Sequence, residues 1–144
     1  MARISIDLPS TFTFSATIPV RITDLNYGGH VGNDTILSII HEARVQYLKT
    51  FGYSEKDLGG VGMIMSDVVI NFRNELFYGD VIEASVAVMN ISRASFDLVY
   101  VLKNNQNIIA EAKTGMVCFD YEKRKVTALP EEVRTILSAG KSVK

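Results

Sequence analysis

Apolar residues recur at every second position through Phe12, Phe14, Ala16, Ile18, Val20 and Ile22, against Thr11, Thr13, Ser15, Thr17, Pro19 and Arg21. A two-residue period held this long predicts an extended, half-buried strand, bent at Pro19. The stretch from Asp24 to Gly29 breaks it, because Asn26-Tyr27-Gly28-Gly29 carries turn chemistry and paired glycines accept positive φ. The period then lengthens. Ile36, Ile39, Ile40, Ala43, Tyr47, Leu48 and Phe51 fall at spacings of three and four, which predicts a helix from about Val31 to Phe51. Asn33 or Asp34 suits its start as a cap, and Gly52 suits its end. Apolar residues surround much of the helix near Ile36 to Ile40, while Glu42, Arg44, Gln46 and Lys49 give it a polar side, as expected of a core helix lying on a sheet.

Beyond a glycine-rich loop (Gly59, Gly60, Gly62), strands are predicted at about Met63 to Phe77, Asp80 to Ser92, Ala94 to Lys103 and Ile108 to Asp120. Tyr78-Gly79-Asp80 and Asn104-Asn105-Gln106-Asn107 supply two of the turns. Phe96, Leu98, Tyr100 and Leu102 alternate with Ser95, Asp97, Val99 and Val101. Pro130 opens a short amphipathic segment with Val133, Ile136 and Leu137, a terminal helix, after which Gly140 to Lys144 is expected to fray. The predicted fold is α+β: an antiparallel five-stranded sheet wrapped around one long central helix, with a short C-terminal helix. One sheet face covers the helix. The other face and the edges would still show Val, Ile, Phe and Met side chains, and oligomerising, as a homodimer or homotetramer, is the usual way to hide them.

Composition narrows the function classes. With 144 residues, 47% of them apolar, the chain suits a single domain spanning 1–144. A formal net charge of −1 gives no bulk electrostatic case for nucleic acid or an anionic membrane. The lone Cys118 excludes an intramolecular disulfide, and two histidines, His30 and His41, do not make a metal-ligand cluster. The N-terminus lacks the apolar run of a signal peptide and no later stretch approaches a membrane span, so a cytoplasmic protein without membrane insertion, metal or cofactor is expected.

Candidate chemistry gathers between Asp24 and Asn33, where a polar, glycine-rich turn meets the start of the helix. The first N–H groups of a helix are unpaired and carry positive partial charge, which suits the developing oxyanion of an acyl transfer. Asp24 either ends the strand through a side-chain-to-backbone hydrogen bond or acts as a base, and His30 either closes a backbone hydrogen bond in the junction or faces a substrate carbonyl. Met63, Met65 and Met116 fill the core or line a flexible ligand. Cys118 reads as a buried small hydrophobe, and Arg73, Arg93 and Lys103 as solvated charges or contacts for an anionic ligand.

The motif Arg21-x-x-Asp24-x-Asn26-x-x-Gly29-His30-Val31-x-Asn33, followed by Glu42-Ala43-Arg44, Tyr47-Leu48 and Phe51-Gly52, and then by Asn71-Phe72-Arg73 and Gly79-Asp80-Val81, resembles the hotdog-fold thioesterases of the 4-hydroxybenzoyl-CoA thioesterase and acyl-CoA thioesterase group. In element order the resemblance extends over about residues 14 to 120. It implies hydrolysis of an acyl-CoA or acyl-carrier-protein thioester at a subunit interface. The implied oxyanion donor is the backbone N–H of Asn33, with Val31 and Gly32 beside it, and the implied substrate-side residues are Tyr27, Gly28, Gly29 and Glu42. In that family a catalytic carboxylate stands four residues before His30, where this chain has Asn26. An amide does not take a proton near neutral pH. The expected substitute is Asp24, because residues two apart on an extended segment share a side, with Cα atoms roughly 6.5–7 Å apart. Asp24 as base, Asn26 holding the water and His30 assisting form the expected catalytic set, with Glu42 as a second candidate carboxylate. The alternative is a non-catalytic acyl-CoA-binding hotdog protein, which Asn26 favours. A hotdog dehydratase ranks last, since its His-Phe-Pro-Gly type signature is absent.

Overall fold

A computed structural model of the chain describes residues 3–139, so the expected fraying of Gly140 to Lys144 lies outside the described residues. The elements are β1 (Phe14–Pro19), α1 (Asn33–Lys49), β2 (Gly62–Phe72), β3 (Val81–Met89), β4 (Ser95–Asn104), β5 (Asn107–Asp120), β6 (Lys125–Val126) and α2 (Glu131–Ala139). The strands run in the order β1-β3-β4-β5-β2, antiparallel at every pairing, with the two-residue β6 added to β5. Five main strands and one long helix match the predicted architecture; β6 was not predicted.

The core follows from two periods meeting. On β4, Phe96, Leu98, Tyr100 and Leu102 are all buried, and they join Ile36, Ile39, Ile40, Ala43, Tyr47 and Leu48 of α1 in one cluster. Ala110 and Ala112 of β5 also belong to it, and their small side chains leave room for the larger ones. Met63 and Met116 sit in this core, whereas Met65 is exposed. Arg44 is the polar exception on the buried side of α1. Its guanidinium donates to Glu55 Oε1 at 2.8 Å and to the Tyr100 hydroxyl at 3.2 Å, and Tyr100 in turn is 2.7 Å from the Thr114 hydroxyl. His41, one turn of helix away, faces the same Glu55 oxygen at 3.1 Å.

Several boundaries depart from the sequence pattern, β3 ending at Met89 rather than Ser92 among them, and three have a clear local setting. The first strand spans only Phe14–Pro19, and Ile22–Asp24 forms a 3-10 turn instead of continuing it. The cause is Asp24, whose carboxylate accepts the Arg21 N–H at 2.8 Å and closes the turn. The α1 cap is neither Asn33 nor Asp34 but Gly32, which is extended and offers no side-chain oxygen. At the other end Gly52 takes φ 81° while Tyr53 N–H bonds Leu48 O and Gly52 N–H bonds Lys49 O, a Schellman closure. Finally, β2 stops at Phe72 rather than Phe77. Arg73 and Asn74 both donate their N–H groups to Ile109 O, and the chain then leaves β5 to run beside the junction.

The outer sheet face is partly closed by the chain itself. Val99 and Val101 of β4 point away from the core cluster yet are buried, and residues Ile4 to Asp7 lie with Val69, Asp97, Val99 and Lys113 around a cavity of about 230 Å³. Asn71 Nδ2 donates to Ile4 O and Arg3 to Phe72 O, fastening this N-terminal segment to β2. Lys113 pairs with Asp67 at 2.7 Å and Arg73 with Glu111 at 2.6 Å. Among the described strands both ends of the sheet keep an unpaired edge, β1 beyond β3 and β2 beyond β5, and β2 exposes Ile64, Met65, Val68 and Phe72. Among the described residues, no helix is long and apolar enough to cross a membrane.

Candidate active site

The junction between β1 and α1 is a small closed unit. Asn26 N–H donates to His30 O at 2.8 Å, Leu25 bridges Val31, and Asn26 Oδ1 accepts the Gly28 N–H at 2.8 Å. Gly29 supplies the positive φ, 81°, that the turn requires. Gly28 is closely approached instead: a Cβ there would stand 3.2 Å from the His30 ring and 3.3 Å from Asn26 Oδ1, so those side chains would have to give by a few tenths of an ångström. Tyr27, at the tip, is fully exposed.

The segment that leaves β2 docks onto this unit. Val31 N–H donates to Leu76 O at 2.8 Å and His30 bridges Phe77, so residues 75–77 run alongside His30 and Val31. Between them lies a cavity of about 230 Å³, lined by His30, Val31, Asn33, Ile36, Phe72, Arg73, Asn74, Glu75, Leu76 and Ile109. The N-terminus of α1 opens here. Val31 is corrected as an oxyanion donor, because its N–H is spent on Leu76. The N–H groups of Gly32 and Asn33 make no hydrogen bond among the described residues and keep their donor capacity. The Asn26 amide nitrogen lies beside Gly32.

His30 is half-buried. Its Nδ1 is 3.3 Å from Val31 O and its Nε2 is 3.9 Å from Glu75 Oε1. Pattern reasoning missed Glu75, because it joins the site through a long-range backbone pairing that no local period reports.

Asp24 does not share this cavity. It lines a second one, of about 300 Å³, with Thr17, Ile18, Pro19, Arg21, Ser38, Ile39, Glu42 and Gln46. The extended stretch expected to set Asp24 beside Asn26 is a 3-10 turn, and both Asp24 oxygens accept from Arg21: Oδ2 from the N–H at 2.8 Å and Oδ1 from the guanidinium at 3.2 Å. Burial pushes its carboxyl up, but the hydrogen bonds and charge of Arg21 outweigh that and hold it below the ordinary range. Glu42, in the same second cavity, accepts from Gln46 Nε2 at 2.6 Å. The structure therefore groups His30, Val31 and Asn33 with Glu75, and Asp24 with Glu42. Cys118 is buried, and desolvation raises its thiol to about 11.

A single antiparallel sheet rolled on one central helix defines the hotdog class, and here the N-terminus of that helix opens into a cavity lined by both polar and apolar side chains. The chain belongs to the thioesterase-like superfamily, whose sequence model matches residues 20–137. It is 32% identical over 118 residues to a 1,4-dihydroxy-2-naphthoyl-CoA hydrolase of Microcystis aeruginosa, covering 80% of this chain and 86% of that relative. It is 23% identical over 124 residues to an acyl-CoA thioesterase of Haemophilus influenzae, covering 84% and 91%. Its fold matches the crystal structure of a 1,4-dihydroxy-2-naphthoyl-CoA thioesterase from Synechocystis with a TM-score of 0.79 at 22% identity, over 87% of this chain and 95% of that one.

Proposed function

We propose that this chain hydrolyses acyl-CoA thioesters in the cavity at the N-terminus of α1, as a homodimer. The observation that carries this reading is the pair of unpaired N–H groups at Gly32 and Asn33, beside His30, in a member of the thioesterase-like superfamily. A thioester oxygen directed at these donors gains stabilisation as it becomes an oxyanion, since the donors and the α1 dipole are already aligned. Asn26, with its Oδ1 held by Gly28, keeps its amide N–H groups free as a further donor on the same side. Gly28 lets the His30 ring lie close to the turn, and Tyr27 stands exposed at the tip of that turn. The leaving thiolate needs no general acid, because the pKa of its conjugate acid is near that of cysteine, about 8.5.

Dimerisation is supported by the free edge of β2, with its exposed Ile64, Met65, Val68 and Phe72. The outer face, by contrast, is partly occupied by the N-terminal segment, which favours a homodimer over a face-to-face homotetramer.

One observation favours a second reading. Asn26, an amide where the family's carboxylate stands, suits an acyl-CoA-binding protein without hydrolysis. Thiol release from a panel of aliphatic and aromatic acyl-CoAs, 1,4-dihydroxy-2-naphthoyl-CoA included, separates the two. Release from at least one member is expected. Tight binding without release from any would replace hydrolysis with binding.

A further inference from the structure

The geometry points to Glu75 as the carboxylate that, together with His30, holds and deprotonates the attacking water in place of the acid missing at Asn26. This rests on thioester hydrolysis in the α1 cavity. A carbonyl oxygen only accepts, so the His30 ring nitrogen 3.3 Å from Val31 O, Nδ1, carries the hydrogen, and in the neutral ring Nε2 presents its lone pair. Glu75 Oε1, a second acceptor, stands 3.9 Å from that nitrogen. Two acceptors at this separation suit one shared donor between them. A water about 2.8 Å from each spans the gap with its hydrogens at roughly a right angle, close to its own bond angle. Its oxygen lone pairs are left facing the cavity.

Elimination reaches the same residue. Among the described residues Glu75 is the sole carboxylate lining this cavity, while Asp24 and Glu42 line the other. Arg73, the remaining charged lining residue, has its guanidinium on Glu111 Oε1 at 2.6 and 3.1 Å and leaves Glu75 unpaired with it. In the reaction, the water oxygen bonds the thioester carbon and its proton passes to the Glu75 carboxylate. The oxyanion rests on the Gly32 and Asn33 N–H groups. Collapse breaks the C–S bond, the departing thiolate recovers the proton from Glu75, and the products are a carboxylic acid and a thiol.

The test compares thiol release by the parent chain, Glu75→Gln and Glu75→Asp across pH. The Glu75 side chain is 63% exposed, so Glu75→Gln is expected to fold with an unchanged thermal midpoint. Its kcat is expected to fall about 100-fold or more, with KM nearly constant, as for loss of a general base. Glu75→Asp recovers part of that loss. The pH dependence of kcat/KM is expected to differ from the parent's in Glu75→Gln, as for removal of a general base. A Glu75→Gln protein with parental kcat, or with reduced kcat but the parental pH profile, overturns the assignment and leaves thioester hydrolysis standing. A parent chain that releases no thiol from any acyl-CoA overturns both.

Discussion

Arg44 of α1 and Tyr100 of β4 meet inside the core, the guanidinium Nη1 donating to the phenol oxygen at 3.2 Å. The phenol also shares a hydrogen with Thr114, and all three residues are buried. Tyr100→Phe strips the Thr114 hydroxyl and Arg44 Nη1 of this partner without opening a large void, while Arg44 Nε keeps Glu55. Stability is expected to fall by about 1–3 kcal/mol, measured by urea denaturation, since a buried polar group left unpaired loses its full desolvation cost. Thr114→Val adds less in the Tyr100→Phe background than alone, because the two remove one network.

Asp24 is expected to matter for the fold more than for the chemistry. Its folded-state carboxyl sits below the ordinary range because Arg21 outweighs burial. A depressed carboxyl stabilises the folded state above the unfolded value, near about pH 3.9, and that contribution is lost as pH falls through the folded value. Asp24→Ala is therefore expected to be less stable by about 0.5–2 kcal/mol at neutral pH, a typical loss for a removed cap. The gap to the parent narrows as pH is lowered past the unfolded value, read by urea denaturation at each pH. Asp24→Asn is expected to keep kcat within about threefold of the parent, less than the loss of a catalytic base.

Asn33→Pro deletes one backbone donor while sparing the helix. Proline is favoured at the first helical position, and Gly32 before it is already extended at ψ 156°. Thiol release is expected to drop by about 10²–10³ in kcat with little change in KM, as when one oxyanion donor is removed. Asn33→Ala, which keeps the N–H, serves as the control and retains most of the activity.

Val68→Lys puts a charge on the open edge of β2, where Val68 is exposed and only the β5 side is paired. Charged edge residues block strand-to-strand association. Sedimentation is expected to show a dimer for the parent and a monomer for the variant. A parent that sediments as a monomer would refute association through β2.

Much of this architecture is legible where one face of an element dominates its pattern. The alternation of Phe96, Leu98, Tyr100 and Leu102 locates β4 to within a residue, because each faces α1. The same alternation misleads before α1: Ile22 continues the period of β1 but is exposed on a 3-10 turn that Asp24 closes. A side chain capping its own backbone overrides periodicity there. Sequence places the helix start within two residues, yet the cap is Gly32, whose lack of a side-chain oxygen leaves the N–H groups uncapped. His30 and Asn33 are identifiable from the motif. Glu75 is not, since its place beside His30 depends on Val31 N–H bonding Leu76 O across a large sequence separation.

The burial of Cys118 gains meaning beside a reaction that liberates a thiol at every turnover. Free sulphydryl products are prone, after oxidation, to capture exposed protein thiolates as mixed disulfides. This chain has one cysteine, shut inside the sheet with its thiol raised to about 11, so at neutral pH almost none of it is thiolate. The catalyst is chemically indifferent to what it makes, and its activity is not expected to drift as the surrounding redox balance changes.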